Sequence, residues 1–157
     1  MSFRVGDFAL TLLSIQIKWS QRSDIGARKK DVEAISQWIY EIKSNAIPSN
    51  SDVLVIGDFN MLGLRNKGFK LLEKYGLKVP NKLRNFKTKL KQNAHYDHIA
   101  YLQENIHCDI GRAGVFDFYD AFFVPNKTDN KYESMTFQLS DHLPLWVEFR
   151  VRETGIN

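Results

Sequence analysis

A chain of 157 residues, 43% hydrophobic and 25% charged, has the makeup of one soluble domain with room for a sizeable core. Its single cysteine, Cys108, excludes an intramolecular disulfide and any cysteine-based metal site. No apolar run approaches the roughly 20 residues of a membrane helix, and MSFRVGDF lacks the apolar stretch of a signal peptide. These features predict a cytoplasmic protein with no membrane partner.

In chain order, FRVGDFALTLLSIQIKW alternates well enough for two strands that turn at Gly6-Asp7, the second near Leu10–Ile17. Asp24 is placed to cap a helix in which Val32, Ile35, Trp38, Ile39 and Ile42 recur at three- and four-residue spacing, forming one buried stripe. NAIPSNSD ends that helix and leads into a strand at Val53–Ile56, whose unbroken apolar run predicts cover on both faces. KGFKLLEKYGL reads as a short helix stopped by Gly76, and KVPNKLRNFKTKLKQN as a polar, basic surface loop. YDHIAYL reads as a strand, GVFDFYDAFF as a compact apolar segment with a short helix, and LPLWVEFRV as the last strand. Strands interleaved with helices predict an α/β or α+β fold, with no repeat and no linker.

The formal net charge is +4, and its distribution is uneven. From Arg65 to Lys91 the only acid is Glu73, against Arg65, Lys67, Lys70, Lys74, Lys78, Lys82, Arg84, Lys87, Lys89 and Lys91. Such a run either attracts polyanions over a Debye length of about 10 Å or is an ordinary solvated loop. On the first reading Lys82, Arg84, Lys87, Lys89 and Lys91 form a nucleic-acid-binding surface.

Polar residues gather at three strand ends: Asp58 and Asn60 in VLVIGDFN, Asp97 in YDHIAYL, and Asp141 with His142 in LSDHLPLW. Each has a plain structural explanation, since Gly, Asp and Asn make turns and Asp begins ordered segments. Together they suit phosphodiester hydrolysis. That chemistry needs oxygen ligands for a hard cation, a base for the attacking water, and donors for the charge that builds on phosphorus. Alternation also puts Asp58 and Asn60 on one side of an extended chain.

In order and spacing, VLVIGDFN, YDHI and SDHLPLWVEF resemble the late motifs of the endonuclease/exonuclease/phosphatase superfamily, the deoxyribonuclease-I-like fold. FALTLLSIQIKW is similar to that family's central strand, and GVFDFYDAFF to a segment of a bacterial branch. The resemblance implies an α/β/β/α sandwich of which residues 1–157 form a single partial domain, the second half, with one mixed sheet and flanking helices. It implies catalytic roles for Asp58, Asn60, Asp97 and His142. Asp58 would activate the attacking water, and Asn60 would hold the phosphate or a metal-bound water. His142 would contact the scissile phosphate, and Asp97 would hydrogen-bond His142. Asp141 would bind magnesium, or manganese. Gln16 stands where the family usually has histidine; it can hydrogen-bond a phosphate oxygen but carries no charge.

The family's first half supplies an Asn and a metal-binding Glu from a Gln-Glu motif, and neither has a counterpart here; Gln103-Glu104 follows the late YDHI strand. Losing one oxyanion donor alone costs on the order of 100- to 1000-fold in rate. The resemblance therefore implies a metal-dependent phosphodiester hydrolase, a nuclease on DNA or RNA, with weak or absent activity and weakly held metal. Two other readings stand beside it: a phosphatase of small phosphate esters or phosphoinositides, and a non-catalytic remnant that binds nucleic acid or a protein. A half sandwich would also bare the inner face of its sheet, which predicts a homodimer or a separate covering half.

Overall fold

The computed structural model describes residues 1–5, 8–18, 25–48, 50–60, 65–90, 94–103, 108–118 and 139–151. The strands β1 (Ser2–Val5), β2 (Phe8–Gln16), β3 (Ser51–Asp58), β4 (Leu77–Lys78) and β5 (Asp97–Leu102) form one five-stranded sheet in the order β1-β2-β3-β5-β4. β2 and β3 run parallel, joined by the helix α1 (Ile25–Ala46), while the other pairs are antiparallel. A parallel pair needs such a crossover, because a tight turn cannot return the chain to the same end of the sheet. The helix α2 (Arg65–Lys74) follows β3 and packs on α1.

Val53 and Val55 of β3 share one buried cluster with Val32 and Ile39 of α1, Phe69 and Leu72 of α2, and Ala100 and Leu102 of β5. A fully buried Val or Ile contributes about 1.5–3 kcal/mol, so this cluster anchors the helices to one face of the sheet. The buried stripe of α1 differs from the expected one. Trp38 is 49% exposed, while Arg28 and Ser36 are buried with Val32 and Ile39. One residue turns an α-helix by about 100°, so Trp38, one position before Ile39, lies beside the stripe. The hydroxyl of Ser36 is satisfied by the Val32 carbonyl at 2.6 Å. The expected cap at Asp24 lies outside the described residues.

The last strand does not join the main sheet. β7 (Leu145–Val151) pairs antiparallel with β6 (Cys108–Val115) in a separate two-stranded ribbon. The sequence pattern gave no strand at β6, because Gly111, Arg112 and Gly114 interrupt its apolar alternation. The register supplies the reason: it shifts between Ile110 and Ala113, a bulge that inserts one residue and returns Ala113 and Val115 to the inner side. Ala113, Leu145, Val147 and Phe149 then pack against the core of the main sheet. Outside, Arg112 and Arg150 flank Glu148 at 2.8 and 3.2 Å.

β3 is thus covered on both faces, as its apolar run predicts. The inner face, however, is not bare as a half sandwich would leave it. The ribbon covers the β3–β5 part, and at the sheet's far edge, among the described residues, Met1 and Phe3 are exposed. The area that self-association would have to bury is correspondingly smaller.

GVFDFYDAFF is divided as well: Gly114 and Val115 end β6, Phe118 is buried with Leu90 and Leu143, and residues 119–123 lie outside the described residues. KVPNKLRNFKTKLKQN is not a simple surface loop. Val79, Leu83, Thr88 and Leu90 are buried, and the segment turns at residues 81–85. No helix among the described residues is long and apolar enough to cross a membrane.

Gly57 is the tightest point of the sheet. Its φ is +137°, and a Cβ there would stand 1.9 Å from the Ile15 carbonyl oxygen of β2. Gly57→Ala should therefore cost about 3 kcal/mol or more. Gly76→Ala, at φ +76° with its nearest neighbour at 3.7 Å, should cost about 1–2 kcal/mol. Urea denaturation followed by circular dichroism reads both; equal costs would show that the β2–β3 approach is not the constraint.

Candidate active site

The register of three adjacent strands builds the site. Gln16 of β2 stands opposite Asp58 of β3, and Asp58 opposite Asp97 of β5, so the three form one row across the sheet. Same-row neighbours have Cβ atoms about 4.5–5.5 Å apart on one face. A cavity of about 280 Å³ opens over this end of the sheet, lined by Gln16, Asp58, Asn60, Lys89, Tyr96, Asp141 and His142. Asp58 and Asp141, far apart in sequence, share it as the motifs require.

The GDFN segment is both a turn and a site. After Gly57 the chain ends its strand at Asp58, buries Phe59 in the core, and turns at Asn60, whose φ is +43°. Asn is among the few residues that take this left-handed conformation readily. The Asp58 carboxylate holds the turn, accepting the Asn60 backbone N–H at 2.8 Å and the Asn60 side-chain amide at 3.2 Å. The same amide donates to the Ile17 carbonyl at 2.6 Å. Both protons of that amide are thereby spent inside the protein. Asn60 retains its carbonyl oxygen, an acceptor suited to the metal-bound water that is one of the two roles the resemblance implied.

Asp97 and His142 meet. His142 Nδ1–H donates to Asp97 Oδ2 at 2.8 Å, which fixes the tautomer and leaves Nε2 at 3.9 Å from Asp141. Chiefly through the Asp97 hydrogen bond, with Asp97, Asp141 and Asp58 adding their negative charge, the His142 pKa rises above its ordinary value despite partial burial. Asp58 is raised too, above all by burial, with the Asn60 backbone bond opposing and the nearby Asp97 and Asp141 carboxylates reinforcing. The neighbouring His98 behaves otherwise. Burial between Phe59 and Phe69 lowers it to about 4, so it is a neutral core residue rather than a site histidine.

Several residues of the site were not singled out as functional from the sequence. Thr88 is fully buried, and its hydroxyl accepts the backbone N–H groups of Tyr96 and Asp97 at 3.2 and 3.1 Å. Its carbonyl takes the Leu143 N–H at 2.6 Å, while the Asp141 carbonyl takes the Leu90 N–H at 2.8 Å. Residues 88–90 therefore brace 141–143, and Lys89 bridges His142. Tyr96 stacks on His142 at 5.5 Å. The one local signal was Tyr96's place beside Asp97; the Thr88 contacts are long-range and leave no trace in spacing.

Among the described residues, several cations of the basic run are held by contacts within the protein. Arg84 pairs with Glu73, lies over Phe69 at 4.7 Å and bonds the Val79 carbonyl. Lys82 reaches the Gly111 carbonyl at 3.2 Å, and Lys74 pairs with Glu33 at 2.7 Å. Lys89 lies in the cavity, Lys87 is exposed, and Lys91 is outside the described residues.

No protein-family model matches the chain, and no curated protein sequence does. Solved structures do. A D. rerio TDP2 humanized by 14 mutations superposes with a TM-score of 0.59 at 15% identity, over 96% of this chain and 56% of that one. A mannosyl-6-phosphatase of Bacteroides thetaiotaomicron gives 0.55 at 15% identity, over 91% and 51%. An endonuclease/exonuclease/phosphatase family protein from the same organism gives 0.52 at 14% identity, over 96% and 51%. The fold is the deoxyribonuclease-I-like fold of these structures. This chain spans about half the length of the solved domains it matches. At such identities the likeness carries the fold, and the roles of residues in this chain rest on their own geometry.

The His142–Asp97 bond gives a signed pH effect. A raised histidine pKa stabilises the fold fully below the unfolded value of about 6.5, and the gain disappears as pH climbs through the raised folded value. In Asp97→Asn, nuclear magnetic resonance titration should show the His142 pKa falling toward its ordinary value. The variant should be about 1 kcal/mol less stable than the parent between about pH 5 and 6.5, the gap closing at higher pH. A gap that widens with pH would contradict the assignment.

Proposed function

We propose that this chain carries a phosphate-hydrolysing centre of a divalent-metal-dependent phosphoesterase, acting on nucleic-acid phosphodiesters. The observation that supports this most is the Gln16–Asp58–Asp97 row with His142 locked onto Asp97 over one polar cavity. In this reading Asp58 takes a proton from the attacking water. Its raised pKa suits a base, since a carboxylate that holds its proton more tightly also accepts one more readily. His142, favoured as imidazolium, donates from Nε2 to a phosphoryl oxygen as charge gathers there. Asp97 keeps the ring in place, and Gln16 offers an amide N–H from the opposite strand.

The oxygen donors of Asp58, Asn60 and Asp141 have the chemistry for a hard cation such as magnesium or manganese. Yet among the described residues no three His, Cys, Asp or Glu side chains gather closely enough to hold a metal. The fit is that of a partial ligand set, so magnesium should bind more weakly than micromolar. When bound, the ion would neutralise charge on the phosphoryl group.

A second reading, hydrolysis of a small phosphate ester, is favoured by the dispersal of the basic residues into internal contacts. A structural neighbour described as a mannosyl-6-phosphatase supports it. The two separate on substrate. Hydrolysis of single- and double-stranded DNA, RNA and sugar phosphates is measured with magnesium and with chelator. The nuclease reading expects cleavage of nucleic acid that chelator abolishes; turnover of the sugar phosphates alone selects the second reading. No turnover of any substrate leaves a non-catalytic binding role.

Asp58→Asn should lower the magnesium-dependent rate at least 100-fold, and yet raise the melting temperature by a few degrees at pH 7. The sign follows from the raised pKa. A buried carboxylate that resists ionising opposes folding above its unfolded pKa, and that penalty vanishes below about pH 4. A variant less stable than the parent at pH 7 would contradict this.

Nucleic-acid binding should depend only mildly on salt. If Lys87, Lys89 and Lys91 carry the contacts to duplex DNA, the logarithmic slope should be about −2 to −3. Replacing all three with Ala should flatten it, and a slope steeper than about −4 in the parent would reveal a larger basic surface.

A further inference from the structure

Lys89 belongs by sequence to a run of lysines, but its surroundings differ from those of Lys74, Lys82 and Arg84 in that run. Thr88 and Leu90 on either side are buried, so alternation turns Lys89 the other way, into the cavity with Asp58, Asp141 and His142. Its backbone cannot drift, because Thr88 and Leu90 are bonded to Leu143 and Asp141. The small core of Leu90, Phe118 and Leu143 packs against this brace.

Its ammonium has no ionic partner among the described residues. Its one side-chain contact there is the Tyr96 ring, with Nζ 5.4 Å from the centroid. Lys74, Lys82 and Arg84, by contrast, are each tied to an oxygen of the protein. A partly buried cation held over an aromatic ring gives up some of its hydration without a matching anion. An anion entering the cavity would supply the missing partner.

The charge balance of the site points the same way. Asp58, Asp97 and Asp141 bring three carboxylates to this end of the sheet, against His142 and Lys89. Without Lys89 a phosphate would meet a surplus of negative charge that His142 alone does not offset, and Gln16 adds none of the missing positive charge. We infer that Lys89 is a direct ligand of the substrate phosphoryl group, donating from Nζ to a non-bridging oxygen on the side of the cavity braced against His142. The inference rests on the cavity being a phosphate site, the reading proposed above. It moves Lys89 from a general polyanion surface to the reacting group itself.

The test uses the full chain with inorganic phosphate as the probe, followed by 31P line broadening and by the His142 ring resonances. The parent should bind phosphate and shift His142. Lys89→Met, which keeps the aliphatic stem and removes the charge, should weaken binding about tenfold or more, as expected for the loss of a charge-assisted hydrogen bond. Lys89→Arg should stay within about threefold of the parent, and Lys30→Ala, on the exposed side of α1, should match it. Melting temperatures of the variants show whether the fold is intact, and Lys89→Gln repeats the charge removal if Lys89→Met fails to fold. Parent-like binding by folded Lys89→Met or Lys89→Gln would overturn the inference while leaving the phosphate site standing. So would Lys89→Arg binding as weakly as Lys89→Met, because shape rather than charge would then be at work. A parent that neither binds phosphate nor shifts His142 would instead remove the proposed function, and the inference with it.

Discussion

The site depends on the lateral register of β3 between β2 and β5. One glycine permits the approach that sets it: at Gly57 a single added carbon would collide with the Ile15 carbonyl. With that approach in place, Gln16, Asp58 and Asp97 stand in one row. A slip of one residue would turn Asp58 toward the helices and Phe59 toward the cavity, because side chains alternate with period two. Phe59 is part of the buried core, so hydrophobic burial on one face enforces the placement of polar groups on the other.

That placement is electrostatically costly, and the surrounding contacts show how the cost is limited. Asp58 and Asp97 are direct cross-strand neighbours of like charge, an arrangement that destabilises a sheet. Asp97 is relieved by His142 and Asp58 by two hydrogen bonds from Asn60. The relief of Asp58 is incomplete, since burial still holds its pKa up. Raised pKa values on Asp58 and His142 over one cavity are a kind of perturbation common where function opposes stability.

The second half of the site comes from elsewhere in the chain and is held by backbone bonds rather than by the sheet. Residues 88–90 and 141–143 brace each other, and Thr88 extends the brace to Tyr96 and Asp97. Asp97 is thus fixed both by its strand and by the segment that delivers Lys89. The ribbon of β6 and β7 begins just after this brace and lays its inner residues on the sheet.

Much of this was present in the sequence. The alternation of FALTLLSIQ, the apolar run of VLVI and the helical spacing of Val32, Ile35 and Ile39 determined the elements. The motifs around Asp58, Asp97 and His142 determined which side chains would meet. Those signals are local, or lie in fixed motifs, and so survive in one dimension. Tertiary structure decided the rest. Trp38 left the stripe because the helix axis settles against the sheet as a whole. β6 was invisible because its bulge breaks the alternation that marks a strand. Part of the basic run turned inward because Lys74, Lys82 and Arg84 found oxygen acceptors within the protein. Lys89 went to the cavity because buried neighbours on both sides, braced by distant backbone, left it no other direction. Pairings between residues remote in sequence have no period and no composition, so only the folded chain shows them.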